Sequence, residues 1–185
     1  MNDKLVLYMI GHAPDAHYLE RLLKGIKGAV DHLCFVNTDD TDDCLRVIEA
    51  SGIPFDYEIH TFPERSKFDF SVVRNRGRLM AEKIGDWSFW LDCDGVIDHP
   101  ERIKKGMAKA GGEVFAMPYD VGKAADNLFK IRIHGPGEWH WVNPVHEELV
   151  PQKRREKKRE AILLRDIKVR HAPDEGKSNH DFHID

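Results

Sequence analysis

The first hundred residues alternate short apolar runs with segments of helical spacing, and no other feature of the chain restricts its fold as much. Lys4 to Ile10 is β-prone, and Asp15 to Lys27 sets Leu19, Leu22, Leu23 and Ile26 on one helical face before Gly28. His32 to Val36 is apolar again, Thr41 to Ala50 reads as a helix with Leu45 and Ile48 on one side, Gly52-Ile53-Pro54 stops it, and Phe55 to His60 is extended. Ser71 to Ile84 predicts a third helix with Val72, Leu79, Met80 and Ile84 inward. It leads into Trp87 to Leu91, whose unbroken apolar character predicts a central strand covered on both faces, and a further helix begins around His99-Pro100. Strands that alternate with helices need crossover connections. The expected fold is therefore α/β, with a mostly parallel central sheet and helices on both faces.

Beyond residue 112 the pattern changes. Val114 to Pro118, Asn127 to His134, Val145 to Val150 and Ala161 to His171 read as strands while helical spacing is scarce, so this half is expected to add antiparallel strands. A chain of 185 residues with 41% hydrophobic content supports one domain with one core. The halves fall at 1–112 and 113–171, and the tail at 172–185, with His180 and His183 in it, is expected to be a mobile end. The net charge of -4 argues against a generally nucleic-acid-binding surface. The basic run 152–160, QKRREKKRE, is either a solvated connection or a contact for an anionic surface. Cys34, Cys44 and Cys93 lack CxxC spacing and indicate neither a disulfide framework nor a zinc site; Cys34 and Cys93 are expected to be small buried hydrophobes. No apolar stretch is long enough to span a bilayer and the N-terminus lacks a signal-peptide core, so a cytoplasmic protein is expected.

Chemistry is suggested by the end of the fourth apolar run, where WLDCDG places Asp92 and Asp94 beyond a strand. In open α/β sheets ligands bind at the carboxyl ends of strands. Two carboxylates two residues apart suit Mg²⁺ or Mn²⁺, which favour carboxylate oxygens and commonly bridge to substrate phosphates. Helix capping or turn formation is the other reading of the pair. NTDDTDD (37–43) follows the second strand and offers hydrogen-bond acceptors for a nucleotide base or ribose, or alternatively caps a helix through Thr41 and Asp42 or Asp43. In FDFSVVRN (68–75), Arg74 and Asn75 lie near a helix start, where an Arg either grips a diphosphate through two N–H groups or is a surface residue.

Taken in order, VNTDDTDD, DFSVVRN, GDWSFWLDCDG and the VHEEL of the strand-rich half resemble family 2 glycosyltransferases of the GT-A fold, in the branch with DFSxxRN and vHE motifs. The resemblance covers about residues 4–171. It implies a GT-A-like fold, a nucleotide-sugar donor with UDP first among the bases, a Mn²⁺ or Mg²⁺ ion, and residues 1–112 as the half that binds the donor. Transferred residue by residue, it implies donor contacts from Thr38, Asp39, Asp40, Arg74, Asn75 and Asp92. It implies metal ligands among Asp92, Asp94, the late His171 and His146 of the HE pair, although His171 at a strand end also reads as a surface residue.

The family often has DADE where this chain has Asp92-Cys93-Asp94-Gly95, so one acidic contact is lost. The chain stops where helices commonly follow, which implies a minimal form or an acceptor side completed by a partner subunit or another copy. The acceptor, whether saccharide, lipid-linked glycan, protein or modified nucleobase, is not specified by any motif. Inverting transfer needs a carboxylate base, and Asp120, Asp126, Glu138, Glu147 and Glu148 are the candidates. Glu147 leads with Asp120 behind it, because the resemblance places the HE pair near the reaction centre and because Val145, Glu147 and Leu149 share a face at period two; the other reading of Glu147 is a strand-edge residue paired with an Arg such as Arg132.

Two other classes compete. A nucleotidyltransferase or metal-dependent phosphohydrolase also uses such carboxylates and histidines, but GHAPDAH after the first strand lacks the Gly-rich, Lys-bearing phosphate loop that would favour it. A nucleic-acid-binding module would use the basic 153–159 stretch, which has no interleaved aromatics.

Overall fold

The computed structural model describes residues 3–120, 128–137, 139–152 and 160–172. Asp126, Glu138, the basic stretch 153–159 and the tail with His180 and His183 lie outside the described residues. The chain runs β1 (Leu5–Gly11), α1 (Ala16–Ile26), β2 (His32–Asn37), α2 (Asp43–Ser51), β3 (Phe55–Ile59), α3 (Phe70–Ile84), β4 (Trp87–Trp90), β5 (Gly95–Ile97) and α4 (Ile103–Ala110). It continues with β6 (Val114–Asp120), β7 (Phe129–His134), β8 (Trp139–Val142), β9 (Glu148–Pro151), β10 (Ile162–Leu163) and β11 (Val169–His171).

Among the described residues one sheet of nine strands has the order β3-β2-β1-β4-β7-β6-β11-β5, with β10 paired to β6. β1 runs parallel to β2 and β4, and β2 parallel to β3. The sheet turns antiparallel where β7 lies between β4 and β6, and β11 runs parallel to β6 and antiparallel to β5. β8 and β9 form a separate antiparallel hairpin.

Period two along β1 builds both halves of the core. Leu5, Leu7 and Met9 point to the layer of α1, α2 and α4, meeting Leu19, Leu22, Ile48 and Ile103. Val6 and Tyr8 point the other way, toward Ala81 of α3 and Trp139, Trp141 and Leu149 of the hairpin. All five are at most 1% exposed, and each side chain so buried contributes about 2 kcal/mol. Helices thus cover both faces, as the alternating pattern predicts, and all three cysteines are free and buried. No helix among the described residues is long and apolar enough to cross a membrane.

Five elements depart from the sequence reading, which assigned no strand to β5 or β8. α3 is rotated: Val72 and Leu79 are exposed, while Val73, Arg74, Gly77, Arg78 and Ala81 are buried. Apolar spacing misplaces this face because it carries two arginines, with Arg78 Nη1 bonded to Glu82 Oε1 at 2.5 Å and Gly77 packed on Tyr8. Strand structure begins at Glu148, not Val145, because Asn143 and His146 adopt left-handed backbone and residues 143–147 form a loop. The long strand expected over Ala161 to His171 is two short ones. Leu164 and Ile167 turn into the core between them, and both fragments pair with β6.

A buried polar chain ties the hairpin to the sheet. Trp141 Nε1 donates to the Tyr8 hydroxyl at 3.0 Å, that hydroxyl lies 3.2 Å from His134 Nε2, and His134 Nδ1 lies 3.0 Å from the Gly135 carbonyl. Nδ1–H donating to the carbonyl leaves Nε2 to accept from Tyr8, so the neutral ring satisfies the chain. Burial pushes the His134 pKa down to about 4. The unfolded chain therefore binds a proton that the folded one refuses, and stability is expected to fall as pH drops from about 6.5 toward 4. Thermal melts of wild type and His134→Gln across that window check this; parallel curves would remove His134 as the cause.

Candidate functional site

The parallel strands β1, β2 and β4 end along one edge, and the motif residues gather there. Gly11 closes β1, and its carbonyl accepts from Thr38 N at 2.8 Å and from Thr38 Oγ1 at 3.2 Å. A Cβ on Gly11 would meet Phe35 Cζ at 2.8 Å and Cys93 Sγ at 2.9 Å, so only glycine lets the first and fourth strand ends approach this closely. Beyond that edge lies a cavity of about 550 Å³ whose walls include His12, Thr38, Phe70, Arg74, Asp94 and His171.

Asp94 and His171, 77 positions apart in sequence, meet because β11 pairs antiparallel with β5, with His171 opposite Gly95. Arg21 fastens the junction by donating Nη2 to the Asp94 carbonyl at 3.2 Å and the Ala172 carbonyl at 2.6 Å. Asp94 Oδ2 consequently lies 3.0 Å from His171 Nδ1. An oxygen and a nitrogen this close fit one edge of a divalent ion's coordination sphere.

Asp92 is turned elsewhere. Arg74 Nη2 donates to its Oδ1 at 2.6 Å, and Arg132 Nη1 lies 3.7 Å from its Oδ2. The second fork of Arg74 is also in use, Nε donating to Glu147 Oε1 at 2.7 Å. Arg74 is 5% exposed and joins carboxylates from two distant motifs. Burial alone would raise the Asp92 pKa, but Arg74 and Arg132 hold the carboxyl down to about 2. The same pairing keeps Arg74 firmly charged against the opposing effect of burial.

Asp92 and Asp94 thus face different partners, arginines in one case and a histidine in the other. Among the described residues the trio of potential metal ligands whose donor atoms lie within 4.8 Å of one another is His32, Cys34 and Asp56, at the amino-terminal ends of β2 and β3, opposite the carboxyl ends that border the cavity. His146 is exposed, has φ 56° and lines neither this cavity nor the one described below.

The acidic segment after β2 is largely occupied with its own loop. Asp39 accepts hydrogen bonds from Ala13 N, Asn37 Nδ2, Thr41 N and Thr41 Oγ1. Burial would push its pKa up, yet those bonds hold it below the usual carboxylate range. Thr41 thus serves Asp39 and does not open α2, which starts at Asp43. Asp40 is exposed. Asn75 spends its amide on β8, donating to the Trp141 carbonyl at 2.9 Å and accepting from Trp141 N at 2.9 Å, so it brackets the hairpin against α3. Asp120 lies 2.6 Å from Lys168 Nζ and lines neither cavity.

Glu147 is drawn inward by Arg74 and not by strand alternation, since Val145 is 55% exposed and lies in the loop. The alternative pairing with Arg132 is not the one formed. Glu147 opens on a second cavity of about 370 Å³, with Trp90, Phe129, Lys130 and Trp141 in its wall and Arg74 and Asp92 shared with the first. Sequence reasoning passed over Lys130 and Trp141 and named Arg132 only as an alternative partner of Glu147. The available signal was KIRIH in β7, where Lys130 and Arg132 alternate with Ile131 and Ile133 and so must share one face of the sheet.

No family model and no curated protein sequence matches the chain. Among solved structures it is similar to S. aureus TarS 1-349 in complex with UDP-GlcNAc, with a TM-score of 0.50 and 15% identity over 67% of this chain and 37% of that one. The fold is GT-A-like. It is also similar to 4-diphosphocytidyl-2C-methyl-D-erythritol synthase, with a TM-score of 0.46 and 15% identity over 73% of this chain and 76% of that one. The chain spans little more than a third of the TarS chain, and the likeness concerns the architecture alone, a curled, mostly parallel sheet with helices.

Proposed function

We propose that the chain is a metal-dependent glycosyltransferase that moves a sugar from a nucleotide-diphosphate sugar, a UDP-sugar first, to an acceptor hydroxyl. The observation that carries this reading is the pair of cavities at the strand ends, divided by Arg74 and Asp92, with Asp94 and His171 beside one and Glu147 beside the other. That TarS was crystallised with UDP-GlcNAc on a similar fold supports the choice of donor. The donor diphosphate occupies the first cavity, where the Arg74 guanidinium can exchange a carboxylate for phosphate oxygens through the same planar fork. Mn²⁺ or Mg²⁺ bound by Asp94 and His171 supplies charge neutralisation for the departing diphosphate. Glu147 takes the proton from the acceptor hydroxyl as that oxygen bonds to the sugar carbon and the carbon–oxygen bond to the diphosphate breaks.

Calorimetric titration of UDP and UDP-GlcNAc with and without Mn²⁺ tests the reading. UDP is expected to bind with a Mn²⁺-dependent component that Asp94→Asn abolishes while the unfolding midpoint stays unchanged, because the carboxylate lies beyond a strand end. Equal affinity in wild type and variant with Mn²⁺ present would remove the metal role. Absence of UDP binding under all conditions, together with pyrophosphate release from a nucleoside triphosphate, would replace the transferase of sugars by a nucleotidyltransferase.

A further inference from the structure

We propose that the second cavity is a subsite for an acceptor sugar ring bearing a negatively charged group. This rests on the transferase reading for the word acceptor, but the recognition itself follows from the walls of the cavity. Trp90 and Trp141 meet edge to face, 87° apart with ring centroids 4.7 Å apart, and Phe129 is 37% exposed beside them. Aromatic faces carry negative charge density, and the C–H bonds of a pyranose face present the complementary sign, so the exposed Phe129 ring suits a sugar as well as an apolar group. Trp90 and Trp141, 4% and 3% exposed with Arg74 5.0 Å from each centroid, form the wall behind it. The volume, about 370 Å³, falls within the range of small-molecule sites.

Charge distinguishes an acidic sugar from a neutral one. Arg74, Lys130 and Arg132 cluster here against two inward carboxylates, Asp92 and Glu147, and Arg74 engages both of these. Arg132 is fully buried, stacked 3.9 Å from the Trp90 ring centroid and 4.8 Å from that of Tyr119, and its Nη1 lies 3.7 Å from Asp92 Oδ2. Lys130 forms no ion pair with a carboxylate among the described residues; its ammonium sits 4.5 Å from the Tyr119 ring centroid and 5.8 Å from that of Trp90. Glu148 stands on the rim, exposed as Lys130 is, and no ion pair joins the two among the described residues. Desolvation, then the neighbouring Arg132, lower the Lys130 pKa, while Asp92 and Glu147 act in the opposite direction. A carboxylate or phosphate on the sugar supplies the missing anion, with Lys130 at the cavity wall as the direct contact and Arg132 behind it reinforcing the field.

Intrinsic tryptophan fluorescence of the full chain reads the cavity directly, because Trp90 and Trp141 line it. The probes are glucose, glucuronate, glucose 6-phosphate and inorganic phosphate, each titrated with and without UDP. At least one acidic sugar is expected to bind about tenfold more tightly than glucose or phosphate, the factor that about 1.4 kcal/mol gives. Glucuronate and glucose 6-phosphate distinguish a carboxylate from a phosphate as the source of the charge. Lys130→Gln is expected to erase the preference and Lys130→Arg to keep it; Lys130 is exposed, so neither should perturb folding. No saturable acidic-sugar binding at about 10 mM, an affinity too weak for a built site, would overturn the proposal. Equal binding of glucose, phosphate binding as tight as the sugar phosphate, or a preference that survives Lys130→Gln would do the same. Competition by UDP would place the sugar in the first cavity and overturn it as well. A chain that binds the acidic sugar but not UDP would retain this subsite while losing the donor assignment.

Discussion

Replacing Arg74 with methionine is expected to destabilise the protein by about 3 kcal/mol at neutral pH, the low end for breaking a buried ion pair. Methionine fills much of the same space, so the loss is electrostatic: Asp92 and Glu147 are left facing each other without the guanidinium that joins them. The low end applies because the Asp92 side chain is 31% exposed and water screens part of the repulsion. The pH dependence identifies the cause. In the wild type the folded Asp92 carboxyl has a pKa of about 2, below its unfolded value of about 4, so its contribution is present above pH 4 and is lost as pH falls toward 2. In Arg74→Met that depressed pKa rises and the acid-side loss shrinks. Urea denaturation at pH 7 and pH 3 measures both terms. A variant as stable as wild type at pH 7 would mean that the three-residue bridge contributes nothing. Arg74→Lys separates stability from binding: it keeps the charge but lacks the fork, so most stability is retained while UDP affinity falls.

The second large effect concerns Glu147. Glu147→Gln retains an oxygen that can accept from Arg74 Nε, so the bridge and the fold are expected to survive. The amide cannot take a proton, and transfer to the acceptor is expected to fall by about a hundredfold or more while UDP binding is unchanged. Radiolabelled sugar transfer at saturating donor, run beside calorimetry with UDP, measures the two separately. Wild-type transfer by the variant would exclude Glu147 as the base. A retaining outcome, established from the anomeric configuration of the product, would remove the need for any base there. Asp120 is the poorer substitute, because Lys168 holds its carboxylate at 2.6 Å and it borders neither cavity.

These residues show how much of the molecule can be read from its amino-acid order. The α/β class, the order of the first four strands and the position of Asp92 and Asp94 beyond β4 all follow from local pattern, because apolar periodicity reports which side chains must leave water and a strand needs only a few residues to declare itself. The face of α3 did not follow. Val72 and Leu79 have the right spacing yet stand in solvent, and the buried face carries Arg74, compensated by Asp92 and Glu147 from distant segments, and Arg78, compensated by Glu82 one turn along the same helix. Hydrophobicity is a property of one residue, whereas the cost of burying a charge depends on its partner, and Glu147 lies 73 positions away in the chain. The meeting of Asp94 with His171 is of the same kind, since it depends on the register between β5 and β11. Composition and spacing determined the alternating strands and helices of the first ninety residues and the placing of two carboxylates beyond β4. Tertiary pairing decided which carboxylate is tied to an arginine and which is set beside a histidine, because long-range register and charge compensation exist only once the chain has closed on itself.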